Sequence, residues 1–166
     1  MAIECIKYVN NKEINYSDAQ ISRELKVDNI CNSKLKLLSG LNQLELSNTE
    51  DSSIYFGPVS TNVSIKNCKN CIIVVACRQI RIHDSHGLKI WLSCCTPPLI
   101  ENCYDITFDI RAKNNTNFYK MFEYHLQEVG IDESEFLIED HFKVSDFSWL
   151  KIQDSPNWKF GNVELK

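Results

Sequence analysis

Gln79, Arg81 and His83 alternate with Ile80 and Ile82 in the run Cys77-Arg78-Gln79-Ile80-Arg81-Ile82-His83. Successive side chains of a strand point to opposite faces, so the three polar groups share one face and the two isoleucines the other. The pattern predicts a short, rigid strand displaying an amide, a guanidinium and an imidazole in a row. A guanidinium is a planar, permanently charged fork of donors, which suits it to oxyanions. The plainer reading is a polar strand face whose arginine makes a surface ion pair. Cys77 can share the face of Ile80 and Ile82 only if the chain bends near Arg78.

The eight cysteines are the other residues that could do chemistry. Cys68 and Cys71 form a C-x-x-C, Cys94 and Cys95 are adjacent, and Cys5, Cys31, Cys77 and Cys103 are scattered. A zinc site calls for a second C-x-x-C or a paired-histidine arrangement, and the sequence has neither. Cysteine within strand-like runs serves more often as a small buried residue. The expectation is therefore core thiols, with no metal and no disulfides.

The 166 residues carry a net charge of -4, with no basic stripe to displace counterions from phosphates, so nucleic acid is not the expected partner. A protein partner or a small ligand is. The sequence has no apolar run of membrane-spanning length, its start Met-Ala-Ile-Glu-Cys lacks a signal-peptide pattern, and position 2 is not the glycine that myristoylation needs. No membrane anchor is evident, and the expected compartment is the cytoplasm.

The elements that must hold the Arg81 row emerge from a repeat. Ile65-Lys-Asn-Cys-Lys-Asn-Cys71, Ile82-His-Asp-Ser-His-Gly-Leu88 and Ile100-Glu-Asn-Cys-Tyr-Asp-Ile106 share one pattern, with starts 17 and then 18 residues apart and strand formers after each. A fainter copy lies at Val27-Asp-Asn-Ile-Cys-Asn-Ser33. Such units are too short for helical hairpins and fit the coils of a β-helix, each burying its face by stacking on its neighbours. Cys68, Ser85 and Cys103 should then stack in one column. Asn67, Asp84 and Asn102 should stack in another, their side chains serving turn backbone groups.

Residues 27–110 are read as these coils and 1–26 as an N-terminal cap or extension. In the latter, Ile3, Ile6, Tyr8 and Val9 suggest a short strand, and Ser17-Asp18 a helical turn running toward Leu25. Residues 111–166 are read as a helix and docked tail of the same domain. Phe118, Met121, Phe122, His125, Leu126 and Val129 are spaced as an amphipathic helix ended by Gly130. Phe136, Phe142, Phe147, Trp149 and Trp158 mark a tail anchored by aromatics, since ordering it must be offset by buried area.

Several stretches resemble the tubulin-binding cofactor C domain family. They are Gly57-Pro-Val-Ser60, Val63 to Asn67, Cys68-x-x-Cys71, Ala76 to His83, Pro98-Leu-Ile-Glu-Asn-Cys103, Asp146-Phe-Ser-Trp-Leu150 and Ser155-Pro-Asn-Trp158. The resemblance covers roughly residues 50 to 160 and implies a right-handed parallel β-helix, in agreement with the coil repeat. Cofactor C and the retinitis pigmentosa 2 protein, both of this family, are GTPase-activating proteins for tubulin and for ADP-ribosylation-factor-like small GTPases. The resemblance makes Arg81 the arginine finger, Gln79 a neighbour at the GTPase interface, Glu101 a supporting acid and Phe147 a tail aromatic at the same interface. Arg78 stands where those relatives often have a second glutamine, and it joins His83 among the expected partner-binding residues.

The function so implied is GTPase activation in trans, where an arginine raises phosphoryl-transfer rates by ~10³ to 10⁵. The partner expected is tubulin, a tubulin-cofactor complex or an Arf-like small GTPase, with cytoskeletal association following from the first two. No cofactor is expected, and no G-x-x-x-x-G-K-[ST] run supplies a nucleotide site. If the coils stack in register, His83 lies under Glu101, and Glu101 falls within a strand step of Arg81, close enough to hold the guanidinium extended. The alternative function is a non-catalytic interaction module like the actin-binding, cyclase-associated branch of the family.

Overall fold

The computed structural model describes residues 2–17, 21–110 and 116–165. Its elements are β1 (Ile3–Asn10), β2 (Glu13–Tyr16), β3 (Ile21–Cys31), β4 (Lys34–Leu37), β5 (Gln43–Glu50), β6 (Ser53–Phe56), β7 (Val59–Lys69), β8 (Ile72–His83), β9 (His86–Cys94), β10 (Leu99–Glu101), β11 (Tyr104–Asp109), α1 (Thr116–Val129), β12 (Ser145–Asp146) and β13 (Trp158–Phe160). All the pairings between these strands are parallel, and they build a β-helix. A front ladder runs β1-β3-β5-β7, then the second half of β8, then β10 and β12. A back ladder runs β2-β4-β6, then the first half of β8, then β9, β11 and β13.

Inward side chains stack in columns. Val27, Leu46, Ile65, Ile82 and Ile100 form one on the front ladder, and Leu35, Ile54, Ile73, Ile90 and Phe108 one on the back, all essentially inaccessible to water. β8 changes ladder at Arg78, where the pairing with β7 slips between Val59 and Asn62. That bend lets Cys77, Ile80 and Ile82 all face inward. At the same kind of corner one coil earlier, a Cβ on Gly57 would collide with the Ser39 backbone, so the glycine before Pro58 is a packing requirement.

Each turn from front to back uses two residues of positive φ three apart: Tyr8 and Asn11, Asn29 and Asn32, Asn48 and Asp51, Asn67 and Asn70, Asp84 and Gly87, Asn102 and Asp105. Asn, Asp and Gly tolerate this conformation best. The side chains also link coils, with Asn67 Nδ2 donating to Asn48 Oδ1 and Asn102 Nδ2 to Asp84 Oδ1, both at 2.7 Å. Directly after a positive-φ residue, a small side chain donates back to the carbonyl two residues earlier. Thr49, Ser52 and Ser85 do so at 2.9, 2.8 and 2.7 Å, and Cys68, Cys71 and Cys103 at 3.4, 3.2 and 3.3 Å. The C-x-x-C is thus the thiol version of Thr49-x-x-Ser52, a pair of corner donors.

All eight cysteines are free, but the core role applies to only five of them: Cys68, Cys71, Cys77, Cys94 and Cys103. Cys5 is exposed on the outermost strand, Cys31 turns outward toward Glu50 Oε1, and Cys95 faces the side opposite its buried neighbour Cys94. Of the helical turn read from Ser17 toward Leu25, residues 18–20 lie outside the described residues, and from Ile21 onward the chain is strand instead. β3 begins at Ile21, because pairing with β1 and β5 on both sides outweighs a local capping signal. Residues 3–16, read as part of a cap, form the first coil of the same stack.

The back ladder is apolar on its outer side as well. Tyr55, Val74, Ala76 and Trp91 point outward yet are buried beneath Leu126, Ile131 and Phe136. α1 stops at Gly130, whose φ is 70°, with Gly130 N–H donating to Gln127 O and Ile131 N–H to Leu126 O. This paired C-cap turns Ile131 back into the cluster that Leu126 occupies. His125 and Leu126 are buried as their spacing predicts; the side chains of Phe118, Met121 and Phe122 lie outside the described residues.

Phe142, Trp158 and Phe160 close the last coil over Phe108, with ring centroids 5.3 to 6.3 Å apart. Phe147 is not an anchor. It is 57% exposed, because β12 continues the front ladder and turns that side chain to the outer surface.

Candidate functional site

The outer surface of the front ladder carries the Arg81 row. Ile80 and Ile82 are buried at 1% and 0% exposure, which fixes the strand's pleat and sends Gln79, Arg81 and His83 outward. Gln79 lies opposite Asn62, Arg81 between Ser64 and Leu99, and His83 between Lys66 and Glu101. Gln79, Arg81 and Glu101 are exposed and His83 is half-buried. Among the described residues, the Arg81 guanidinium makes no side-chain hydrogen bond or ion pair. It stands on a rigid strand with its donors uncommitted, above the half-buried Ser64 and Leu99.

Glu101 meets His83 directly, with Oε2 3.1 Å from Nδ1. The register that places these residues opposite each other is the one the repeat predicts. The carboxylate is therefore committed to the imidazole, not to Arg81, and it shapes the Arg81 surroundings at one remove.

Arg78 is separated from the row. Its Nη1 lies 2.6 Å from Glu135 Oε2 and its Nη2 donates to Gly130 O at 3.0 Å, across the corner toward the back ladder. Hydrogen bonding with Glu135 pushes the Arg78 pKa up, and the bond from Arg78 holds the Glu135 carboxyl below its usual range. Asp132 and Glu135 also form a reciprocal capping box. Arg78 thus fastens the segment after α1 to the coils, and of the two arginines only Arg81 leaves its guanidinium uncommitted.

The row continues onto the tail. β12 adds the next rung, pairing Leu99 with Ser145 and Ile100 with Asp146, and Phe147 N–H donates to Ile100 O at 3.0 Å. Phe147 follows Glu101 on the same outer surface. Arg81, Gln79, His83, Glu101 and Phe147 thus form one contiguous face, with Arg78 at its corner.

Two features of this face escape sequence reasoning. Asp146 is a hub: its carboxylate accepts from Ser148 N, Ser155 Oγ and Asn157 Nδ2 at 3.0, 2.6 and 2.7 Å. Leu150 and Ile152, 92% and 105% exposed, are fully in solvent. In the sequence only the short Asp-x-Ser and Ser-Pro-Asn turn signals around them hint at a tied loop. Among the described residues, no group of three or more His, Cys, Asp or Glu could hold a metal. A groove of about 540 Å³ at the β1–β3 end is lined by none of the candidate residues.

A family model described as Tubulin binding cofactor C matches residues 22–147, which take in every residue of the face. Tubulin-specific chaperone C of Homo sapiens is 31% identical over 137 residues, covering 82% of this chain and 38% of the relative. Tubulin-folding cofactor C of Arabidopsis thaliana is 29% identical over 135 residues, covering 81% and 37%. The chain therefore spans little more than a third of the length of these curated relatives. The solved structure of Tubulin Binding Cofactor C from Leishmania major is similar with a TM-score of 0.63 and 26% identity, covering 76% of this chain and 83% of that one. By the extent of the model match and the shared architecture, the chain belongs to the tubulin binding cofactor C family.

Proposed function

We propose that the protein acts in tubulin folding as a GTPase activator, with Arg81 supplied in trans to the nucleotide of a GTP-bound tubulin. One observation carries the reading. Of two arginines three residues apart, Arg78 is tied to Glu135 and the Gly130 carbonyl, while Arg81 projects from the exposed face with its guanidinium uncommitted.

The chemistry fits the geometry. As the γ-phosphoryl group is transferred, negative charge spreads over its oxygens, and a planar fork of donors held on a strand meets that charge without first leaving another partner. Gln79 and the His83–Glu101 pair flank the guanidinium with further polar groups, and Phe147 gives the face an apolar contact. The names of the relatives favour tubulin over an Arf-like GTPase as the substrate protein. The cytoplasm, where tubulin folds, is the proposed compartment.

The test is single-turnover GTP hydrolysis on GTP-loaded tubulin, alone and with other tubulin-folding cofactors, with and without this protein. Stimulation by the wild type that Arg81→Ala abolishes supports the proposal. Binding without stimulation would make the protein an interaction module, and stimulation confined to an Arf-like GTPase would reassign the partner.

A further inference from the structure

The loop after β12 presents two aliphatic side chains where solvent gains nothing from them. Leu150 and Ile152 are 92% and 105% exposed, yet the loop is tightly tied. Asp146 gathers Ser148, Ser155 and Asn157 at its base, and Ser148 Oγ accepts from Asn102 N–H of the last front turn at 2.8 Å. Trp149 Nε1 donates to Gln153 O at 2.7 Å, closing the tip, and Lys151 Nζ sits 4.9 Å from the centre of the Trp149 ring. The tip's one cation is therefore folded back on the indole, and Leu150 and Ile152 are its outward groups. Ordering a loop costs conformational entropy, and exposed aliphatics do not offset it within the free chain. A pre-ordered apolar tip does offset it when a partner covers the tip.

We propose that Leu150 and Ile152 form an apolar plug that seats in a hydrophobic groove of the same GTP-bound partner that Arg81 addresses. The inference rests on the reading of Arg81 given above, and continuity of the surface carries it. Arg81 and Ser145 are two rungs apart, about 10 Å at the usual strand spacing. Leu150 is four residues beyond Asp146, a reach of at most ~14 Å. A footprint holding both spans at most ~25 Å, whereas a standard interface of about 800 Å² per partner is on the order of 30 Å wide. A protein seated on Arg81 and Phe147 thus extends over the tip. The division of labour follows: the tip supplies affinity, equal in ground and transition states, and Arg81 supplies rate.

The experiment uses Leu150→Ser/Ile152→Ser with GTP-loaded tubulin as the probe, measuring binding directly and hydrolysis across a titration. Both side chains are in solvent, so the variant should fold as the wild type does. The dissociation constant and half-saturating concentration should rise ~10-fold or more, with the rate at saturation retained. Arg81→Ala should do the reverse. Unchanged affinity of the double variant overturns the plug, even if Arg81 proves to be the finger. Retained stimulation by Arg81→Ala overturns the finger while the binding arm still judges the plug. Absence of wild-type binding to tubulin overturns the plug, as does a wild-type dimer that the double variant dissolves, since the tip would then serve a second copy.

Discussion

Glu135 Oε2 lies 2.6 Å from Arg78 Nη1, a contact that joins the corner of β8 to a turn 57 residues later. Both side chains are more than a third exposed, so the pair is screened and adds little to global stability. Its work is local: with the bond from Arg78 to Gly130 O, it fixes the segment that follows α1. Arg78→Ala should speed amide exchange between residues 130 and 136 and leave GTP hydrolysis nearly intact. Arg81→Ala should leave exchange and Tm unchanged and slow stimulated hydrolysis by ~10³ or more. A larger hydrolysis defect for Arg78→Ala would exchange the two roles.

The buried thiols set an alkaline limit. Burial pushes Cys68 and Cys94 up to about 12 and Cys71 to about 11, from an ordinary value of 9.0. Between pH 9 and these values the unfolded chain has lost protons that the folded chain keeps. The stability contribution is therefore complete below about pH 9 and falls as pH rises toward 12. Each such group removes up to ~1.4 kcal/mol per pH unit in that window. Urea midpoints should hold steady to pH 8 and drop by pH 10. In the native protein, exposed Cys5 should react with a thiol reagent well before Cys68, Cys71 or Cys94. Equal reactivity of all eight would show that the coils breathe freely.

Three copies of the corner pattern were legible because Ile65, Ile82 and Ile100 each begin a matching seven-residue segment. The segment from Leu46 to Ser52 was not: it ends in Ser52 instead of an apolar residue, yet Leu46, Ser47 and Glu50 pair with both neighbours. The first coil was hidden for a similar reason, since its left-handed corner begins with Tyr8, which no turn rule suggests. Within the site, alternation sufficed to send Gln79, Arg81 and His83 outward, and the register of the repeat to put His83 beside Glu101. The capture of Arg78 by Glu135 was not legible, because it depends on how α1 returns the chain to the coils. The sequence marks Phe147 both as an anchor and as a contact residue. Its rung on the front ladder, which no local pattern encodes, turns it outward.

The corner columns make a prediction about backbone. Asn67 adopts a φ of 53° and its side chain bonds Asn48 in the previous coil. Asn67→Ala removes the bond and puts a poorly tolerated residue in the left-handed region, which should cost roughly 1–2 kcal/mol. Asn67→Gly removes the same bond but relieves the backbone, so it should cost less. Denaturant unfolding of the two variants separates these effects. A glycine variant as unstable as the alanine one would place the cost in the side-chain ladder and not in φ.

The last prediction concerns the order of the loop that carries Leu150 and Ile152. The Asp146 carboxylate is the common acceptor for Ser148, Ser155 and Asn157, so Asp146→Ala releases both ends of the loop together. The β-helix core does not include this residue, and Phe142 and Trp158 still close the last coil. Global Tm should therefore move little. Locally, each lost hydrogen bond is worth about 1 kcal/mol, and losing all three raises the open population by on the order of 100-fold. Trypsin cleavage after Lys151 should accelerate by a comparable factor, since proteolysis of a segment that opens and closes quickly follows the population of its open form. Partner affinity should fall at the same time, because the tip must be re-ordered on binding, while the hydrolysis rate at saturation stays that of the wild type. Cleavage at the wild-type rate in Asp146→Ala would mean that Trp149 and its bond to Gln153 hold the tip without the hub.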